Sequence, residues 1–153
     1  MPGARRRTSE AAAEVAPLDQ ARAAVAATPG GPRGAGSGDP LIGDLRRAGL
    51  LPLLVLHYIA AEACYGNQLI ERIAELTHGA LAVNPNTMYP LLRSLEAQGL
   101  AAGEWEHPER RSKRYYRITD AGRAERDRLA AELGPRLDRI VRSIDAIRDE
   151  VLG

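Results

Sequence analysis

Two groups of side chains in this 153-residue chain have types and spacing suited to chemistry. The first is Asn86, Tyr89 and Arg93, with Thr87 beside them, in the segment Asn84–Gln98. An asparagine amide can make two hydrogen bonds to adenine and a guanidinium two to guanine, each pair giving ~1–3 kcal/mol of discrimination. At ~100° per residue on a helix, Asn86, Tyr89, Pro90, Arg93 and Ala97 fall on one side, with Thr87 on a flank. Met88, Leu91, Leu92 and Leu95 fall opposite, as a core face would. Glu96 is the one acid near the polar side, and the small Ala97 permits close approach. The second group is the run 109–117, ERRSKRYYR, with five bases and one acid. Arg110, Arg111, Lys113 and Arg114 lie at or beside its expected turn. A flexible cationic tip suits phosphate contacts, which supply affinity without reading sequence. The plain alternatives are a solvated helix face and a solubilising turn.

Other chemistry finds little support. His57, His78 and His107 are isolated and lack ligand spacing, so no metal site is expected. His57 falls in an apolar segment and reads as an interior or pocket-edge histidine. The single cysteine, Cys64, excludes an intrachain disulfide and a four-cysteine zinc site, and no basic sequence neighbour activates it as a redox sensor. Glu104 and Glu106 share a strand face, but a solvated strand accounts for them. The glycines at 30–38 have no strand before them and no lysine after, so they do not form a phosphate loop. No enzymatic activity and no cofactor are expected.

The elements that must position the two groups follow from periodicity. Leu50–Ala63 is apolar nearly all round and predicts a buried helix, with Pro52 in its first turn. Gly66–Thr77 carries Leu69, Ile70, Ile73 and Leu76 on one face, an amphipathic helix stopped at His78-Gly79. Asn84 as N-cap and Pro85 at the first helical position open a third helix that ends at Gly99, with a local kink expected at Pro90. Leu100–Glu106 and Arg114–Thr119 predict a β-hairpin with a basic tip. Strand alternation puts Tyr115 and Arg117 on one face and Arg114, Tyr116 and Ile118 on the other. Thr119 or Asp120 then caps a long helix to about Leu152. The fold class is mainly α with a small β-hairpin: a winged helix-turn-helix over 41–119 and a long C-terminal dimerisation helix over 120–153.

Residues 1–40 differ from the rest, with 11 Ala, 6 Gly and 5 Pro, and predict a disordered tail ending in a linker. Arg5–Arg7 are followed by Thr8, Ser9 and Glu10 rather than an apolar run, so no secretory signal is expected. No stretch reaches the length of a membrane span, and a cytoplasmic location without membrane partners is the expectation. The net charge is only +1. It divides unevenly: residues 41–108 have four bases and seven acids, whereas 109–117 have five and one.

Tyr65-Gly66, the run Pro85-Asn86-Thr87-Met88-Tyr89-Pro90, Leu95-Glu96 with Gly99-Leu100, and Lys113-Arg114-Tyr115-Tyr116 with Ile118-Thr119 and Ala121-Gly122 form an ordered set. In this order and spacing the chain resembles the PadR family of winged-helix transcriptional regulators over roughly Leu41–Leu152. The resemblance implies a cytoplasmic homodimer on double-stranded operator DNA, usually a repressor, released by a small-molecule effector. It adds Tyr65 to the expected DNA-facing set, and Asn67, at the position of the family's second tyrosine, is placed there with it. Where the family often has Tyr-Gly-Tyr-Glu, this chain has Tyr65-Gly66-Asn67-Gln68. The last helix has no aromatic residue with which to sandwich a flat drug, so the effector-binding residues are unassigned. The alternative from another class is a protein-interaction adaptor that uses the same fold without DNA.

In the last helix, Leu129, Leu133, Leu137, Ile140, Ile144, Ile147 and Val151 recur at spacings of four or three, a heptad-like seam. A helix of ~30 residues spans ~45 Å, more than a small winged-helix domain can cover. The seam from Leu133 to Val151 is therefore expected to meet a second subunit, with Gly134-Pro135 bending or breaking the helix.

Overall fold

The computed structural model describes residues 40–153, apart from the side chains of residues 110–112. The tail expected over residues 1–40 thus lies outside the described residues up to position 39. The elements are α1 (Pro40–Arg47), α2 (Leu50–Ala61), α3 (Gly66–Leu76), α4 (Pro85–Ala97), β1 (Ala101–His107), β2 (Arg110–Ile118) and α5 (Asp120–Leu152). The α1 helix was not foreseen, because its apolar residues Ile42 and Leu45 give too short a pattern next to a Gly/Pro-rich run.

The α2 helix is central because its sequence has no polar face to leave in water. Leu50, Leu51, Val55, Leu56 and Ile59 are buried, and α1, α3, β2 and α5 all pack around it. Its one histidine, His57, is exposed and meets Tyr58 edge-on, with ring centroids 5.4 Å apart. That corrects the interior expectation: on an otherwise apolar helix, the imidazole takes the narrow strip that faces solvent. From α3, Leu69 and Ile73 join the core, and from α4 come Met88, Leu91, Leu92 and Leu95, as their spacing predicts. The turn between α3 and α4 is closed locally. His78 (φ 51°) and Gly79 (φ 81°) are both left-handed, and Thr77 Oγ1 accepts from the Leu81 amide at 3.0 Å.

β1 and β2 pair antiparallel, with Ala101 opposite Ile118 and Trp105 opposite Arg114. The hairpin is fastened to the helical core at two places. Cys64, just before α3, exchanges two backbone hydrogen bonds with Tyr116, at 3.0 and 2.8 Å. Thr119 caps α5 by accepting from the Gly122 amide at 3.0 Å, and its hydroxyl donates to the Gly99 carbonyl.

The α5 helix is continuous through Pro135, which corrects the expected break. Proline normally crowds the Cβ of the residue before it, and here that residue is Gly134. The lost N–H leaves the Ala131 carbonyl without its i+4 donor, but Ala131 and Pro135 are both exposed, so that carbonyl is not stranded in the core. At 1.5 Å per residue, α5 spans about 50 Å. Leu129 and Leu133 are fully buried, Leu137 and Ile140 rest partly on the core, and every residue from 141 to 152 is exposed. The heptad-like seam thus splits. Its first half covers the chain's own core, and its second half is uncovered among the described residues.

Candidate nucleic-acid interface

The α4 helix begins where its sequence requires. The Asn84 side chain accepts from the Thr87 amide at 3.1 Å, and Pro85 occupies the first helical position. Asn86, Tyr89, Pro90, Arg93 and Ala97 form one exposed face. Pro90 does not interrupt the helix, because the amide it lacks would have bonded the carbonyl of Asn86 on that same exposed face. Thr87 departs from the expected set. It is 5% exposed, one turn before buried Leu91, and its side chain belongs to the margin of the core rather than to a surface that could meet a base. A wheel places it on the flank, and in the folded chain that flank is buried.

Tyr89 links the helix-turn-helix pair. Its ring lies on the first residue of α3, where a Cβ on Gly66 would stand 2.6 Å from a ring carbon. Only glycine leaves room for that approach. The phenol donates to Asn67 Oδ1 at 3.3 Å. Asn67 and Tyr89 therefore meet at an exposed point where the start of α3 approaches the first turn of α4. The next residue, Gln68, closes the helix start, as its Oε1 accepts from the Tyr65 amide at 3.1 Å.

Tyr65 faces the hairpin. Its ring meets Tyr115 edge-on, with centroids 5.3 Å apart at 86°. Lys113 Nζ stands 4.7 Å from the Tyr65 centroid, so the cation is drawn to the aromatic face while its side chain stays exposed. Strand alternation predicts that one tyrosine packs inward, and Tyr116 does so, at 3% exposure. The Arg110 and Arg111 side chains lie outside the described ones; their backbone forms the first residues of β2, beside the turn.

Arg114 is not at the tip. Its guanidinium donates to Glu96 on the last turn of α4 and lies 5.2 Å from the Trp105 ring centroid. Its Glu96 hydrogen bond holds the guanidinium above its ordinary pKa. This corrects its place among free phosphate ligands: counting bases in the run could not tell which one the register aims at an acid. Arg117 stands 3.7 Å from Glu104 on the opposite face of the hairpin. Of the described basic side chains in the run, Arg114 and Arg117 stand beside acids and Lys113 does not, and Lys113 follows Arg110 and Arg111 along β2 from the turn.

Sequence reasoning also missed a cluster at the base of α3. Arg72 pairs with Glu62, lies over the Tyr58 ring and reaches within 3.8 Å of Cys64 Sγ. The basic neighbour of Cys64 is thus eight residues away, on the next helix. Burial pushes the thiol pKa up, and Arg72 offsets only part of that rise. Among the described residues no group of His, Cys, Asp and Glu side chains could hold a metal ion, and no helix is long and apolar enough to cross a membrane.

Comparison with known proteins agrees with this geometry. The model of the transcriptional regulator PadR-like family matches residues 55–128, from within α2 to the first turns of α5. A transcriptional regulator of Mycobacterium tuberculosis is 40% identical over 82 residues, which is 52% of this chain and 74% of that protein. A PadR family transcriptional regulator from Eggerthella lenta is 32% identical with a TM-score of 0.56, over 69% of this chain and 89% of its own. A PadR-like transcription factor from Bacteroides fragilis is 27% identical with a TM-score of 0.51, over 69% and 99%. The matched span holds α3, α4 and the hairpin, the elements on which the polar face and the basic tip lie. The chain belongs to the PadR-like family of transcriptional regulators, and is a winged-helix DNA-binding protein rather than an enzyme.

Proposed function

We propose that the protein is a homodimeric repressor that binds a two-fold operator and leaves it when a small-molecule effector binds. The observation that carries the DNA half of this reading is the exposed face of α4, where Asn86, Tyr89 and Arg93 stand together and the one nearby acid, Glu96, is bonded to Arg114. Asn86 and Arg93 read base edges in the major groove. Arg110, Arg111 and Lys113 hold phosphates across the groove, and Tyr65 and Asn67 contact the backbone beside them. The exposed apolar residues Ile144, Ile147 and Val151 of α5 pair two subunits, so that two α4 helices meet two half-sites. Of the expected seam, Leu137 and Ile140 lie at its inner edge, while Leu133 is already buried within one chain and contributes through the chain's own packing. The effector is assigned to the hollow between α2 and the α5 helices of the two subunits.

A gel shift on DNA upstream of the protein's own gene tests the reading. Changing Arg110, Arg111 and Lys113 to Ala together weakens binding to every sequence and flattens the salt dependence by about 0.9 per lost phosphate contact. Arg93→Ala instead changes which bases are preferred. No shift on any upstream fragment at low salt would favour the adaptor reading.

A further inference from the structure

We propose that Arg114 is a positioning residue which ties the wing to the end of α4 through Glu96, and so sets the separation and tilt at which both meet one DNA duplex. The proposal rests on the DNA-binding reading above.

The side chain starts mid-strand in β2, on the face it shares with buried Tyr116. Its Nη2 donates to Glu96 Oε2 at 2.5 Å, with the two side chains 27% and 31% exposed. Its guanidinium carbon is 5.2 Å from the Trp105 centroid and 5.8 Å from that of Tyr116. To reach Glu96 it crosses β1 over Gly103, where a Cβ would stand 2.7 Å from the Arg114 Nε. Four features on three elements therefore converge on one guanidinium: an acid on α4, a tryptophan and a glycine on β1, and a tyrosine on β2. A phosphate ligand needs the reverse, a cation free of acids and reaching outward. Arginine suits this task because its flat fork bonds a carboxylate at its edge while its faces lie against rings.

The wing needs such a tie. Base contacts from α4 and phosphate contacts from the wing reinforce one another only if both are held in a fixed relation, within about 0.5 Å of the productive geometry. β1 follows α4 through a short turn, but β2 carries the basic residues and is one strand further out. The Glu96–Arg114 bond fixes β2 directly to the helix.

The test uses the full chain and a duplex that the wild-type protein selects from a random pool. Four variants are compared: E96Q, R114Q, the E96Q/R114Q pair, and G103A. E96Q removes a negative charge near a polyanion, so simple electrostatics predicts tighter binding; the proposal predicts binding about 3–10-fold weaker, with the salt slope unchanged. G103A alters no charge, displaces the Arg114 side chain and weakens binding to a similar degree. The double variant binds no more weakly than R114Q alone, since partners in one contact are not additive. Trp105 is the only tryptophan, so its emission shifts in every variant without DNA, and reports the tie independently. K113A is the contrast, flattening the salt slope by about 0.9. E96Q binding as tightly as wild type or tighter would overturn the proposal. So would R114Q flattening the slope by about 0.9 with an effect additive to that of E96Q, which would make Arg114 a phosphate ligand. If G103A fails to fold, the sign of the E96Q effect and its Trp105 emission decide alone. A wild-type protein that selects no duplex overturns the DNA reading and this proposal together, whereas normal selection with a neutral E96Q overturns this proposal only.

Discussion

Replacing Ile144 by Asp tests whether the far half of α5 pairs two subunits. Val141, Ile144, Ile147, Val151 and Leu152 are between 43 and 76% exposed within one chain. Fully burying such a side chain stabilises by ~1.5–3 kcal/mol. Covering the exposed fraction of all five gives about 5–9 kcal/mol per subunit, and about 10–18 kcal/mol for a symmetric pair. Association itself costs roughly 4–15 kcal/mol, so the surplus is modest and one charge can remove it. Ile144→Asp forfeits about 1 kcal/mol of burial in each subunit. It also leaves a carboxylate in an apolar contact, a further ~1–3 kcal/mol each. Two-fold symmetry counts both losses twice, for about 4–8 kcal/mol, or at least on the order of 1,000-fold in the dimer dissociation constant. Sedimentation velocity over a concentration series should show monomers with unchanged helix content, because Ile144 lies beyond the part of α5 that covers the chain's own core. Operator affinity should fall with dimerisation, since two half-sites are then filled independently. An unchanged dimer by light scattering would refute the seam.

Two further outcomes concern the hinge between hairpin and helices. Gly122→Ala would place a Cβ 2.0 Å from the Leu100 carbonyl oxygen; backbone cannot yield as a side-chain end can, so a loss of about 1–3 kcal/mol is expected, and a thermal melt within a degree of wild type would contradict it. Burial raises the Cys64 thiol above its ordinary value of 9.0 and the Tyr116 phenol above 10.0. Folded groups of raised pKa hold protons that the unfolded chain has already lost, so their stabilisation is complete below about 9 and declines as pH rises through the folded values. The urea midpoint should therefore fall from about pH 9 upward, and C64S should remove the early part of the decline; a wild-type midpoint that stays level through pH 10.5 would contradict this.

Much of the fold was legible because its signals are local and repeated. Asn84-Pro85 marks the start of α4 by a cap and a fixed φ, and the spacing of Met88, Leu91, Leu92 and Leu95 chooses the face it buries. The long α5 helix was legible for the same reason, whereas its continuity at Pro135 was not. A proline rule assumes a Cβ on the residue before it, and the sequence places Gly134 there. Thr87 shows the limit of a helical wheel, which knows the helix but not the chain segments that lie against it. Arg114 shows another. Alternation assigned its strand face correctly, but its partner depends on where β2 passes relative to α4, a relation set by the Cys64–Tyr116 bridge and the Thr119 cap. The Arg72 neighbour of Cys64 was missed on similar grounds, since two helices bring together residues that sequence proximity keeps apart.

The same placement changes what the charge pattern means. Residues 109–117 hold five bases, and a count alone would assign them all to phosphate. Arg114 is bound to Glu96, and Arg117 lies 3.7 Å from Glu104. On the proposed reading, Arg110, Arg111 and Lys113 remain for phosphate in each wing, and the two wings of a dimer would release about five counterions, at ~0.9 per phosphate neutralised. The rest of the folded region, residues 41–108 and 118–153, has more acids than bases and repels a polyanion. Attachment through so few charges leaves little non-specific affinity, and selection then rests on the α4 face. Holding Arg114 out of the phosphate set serves that balance: the same residue that lowers the wing's charge fixes the wing where its remaining cations and the base-reading helix can act together.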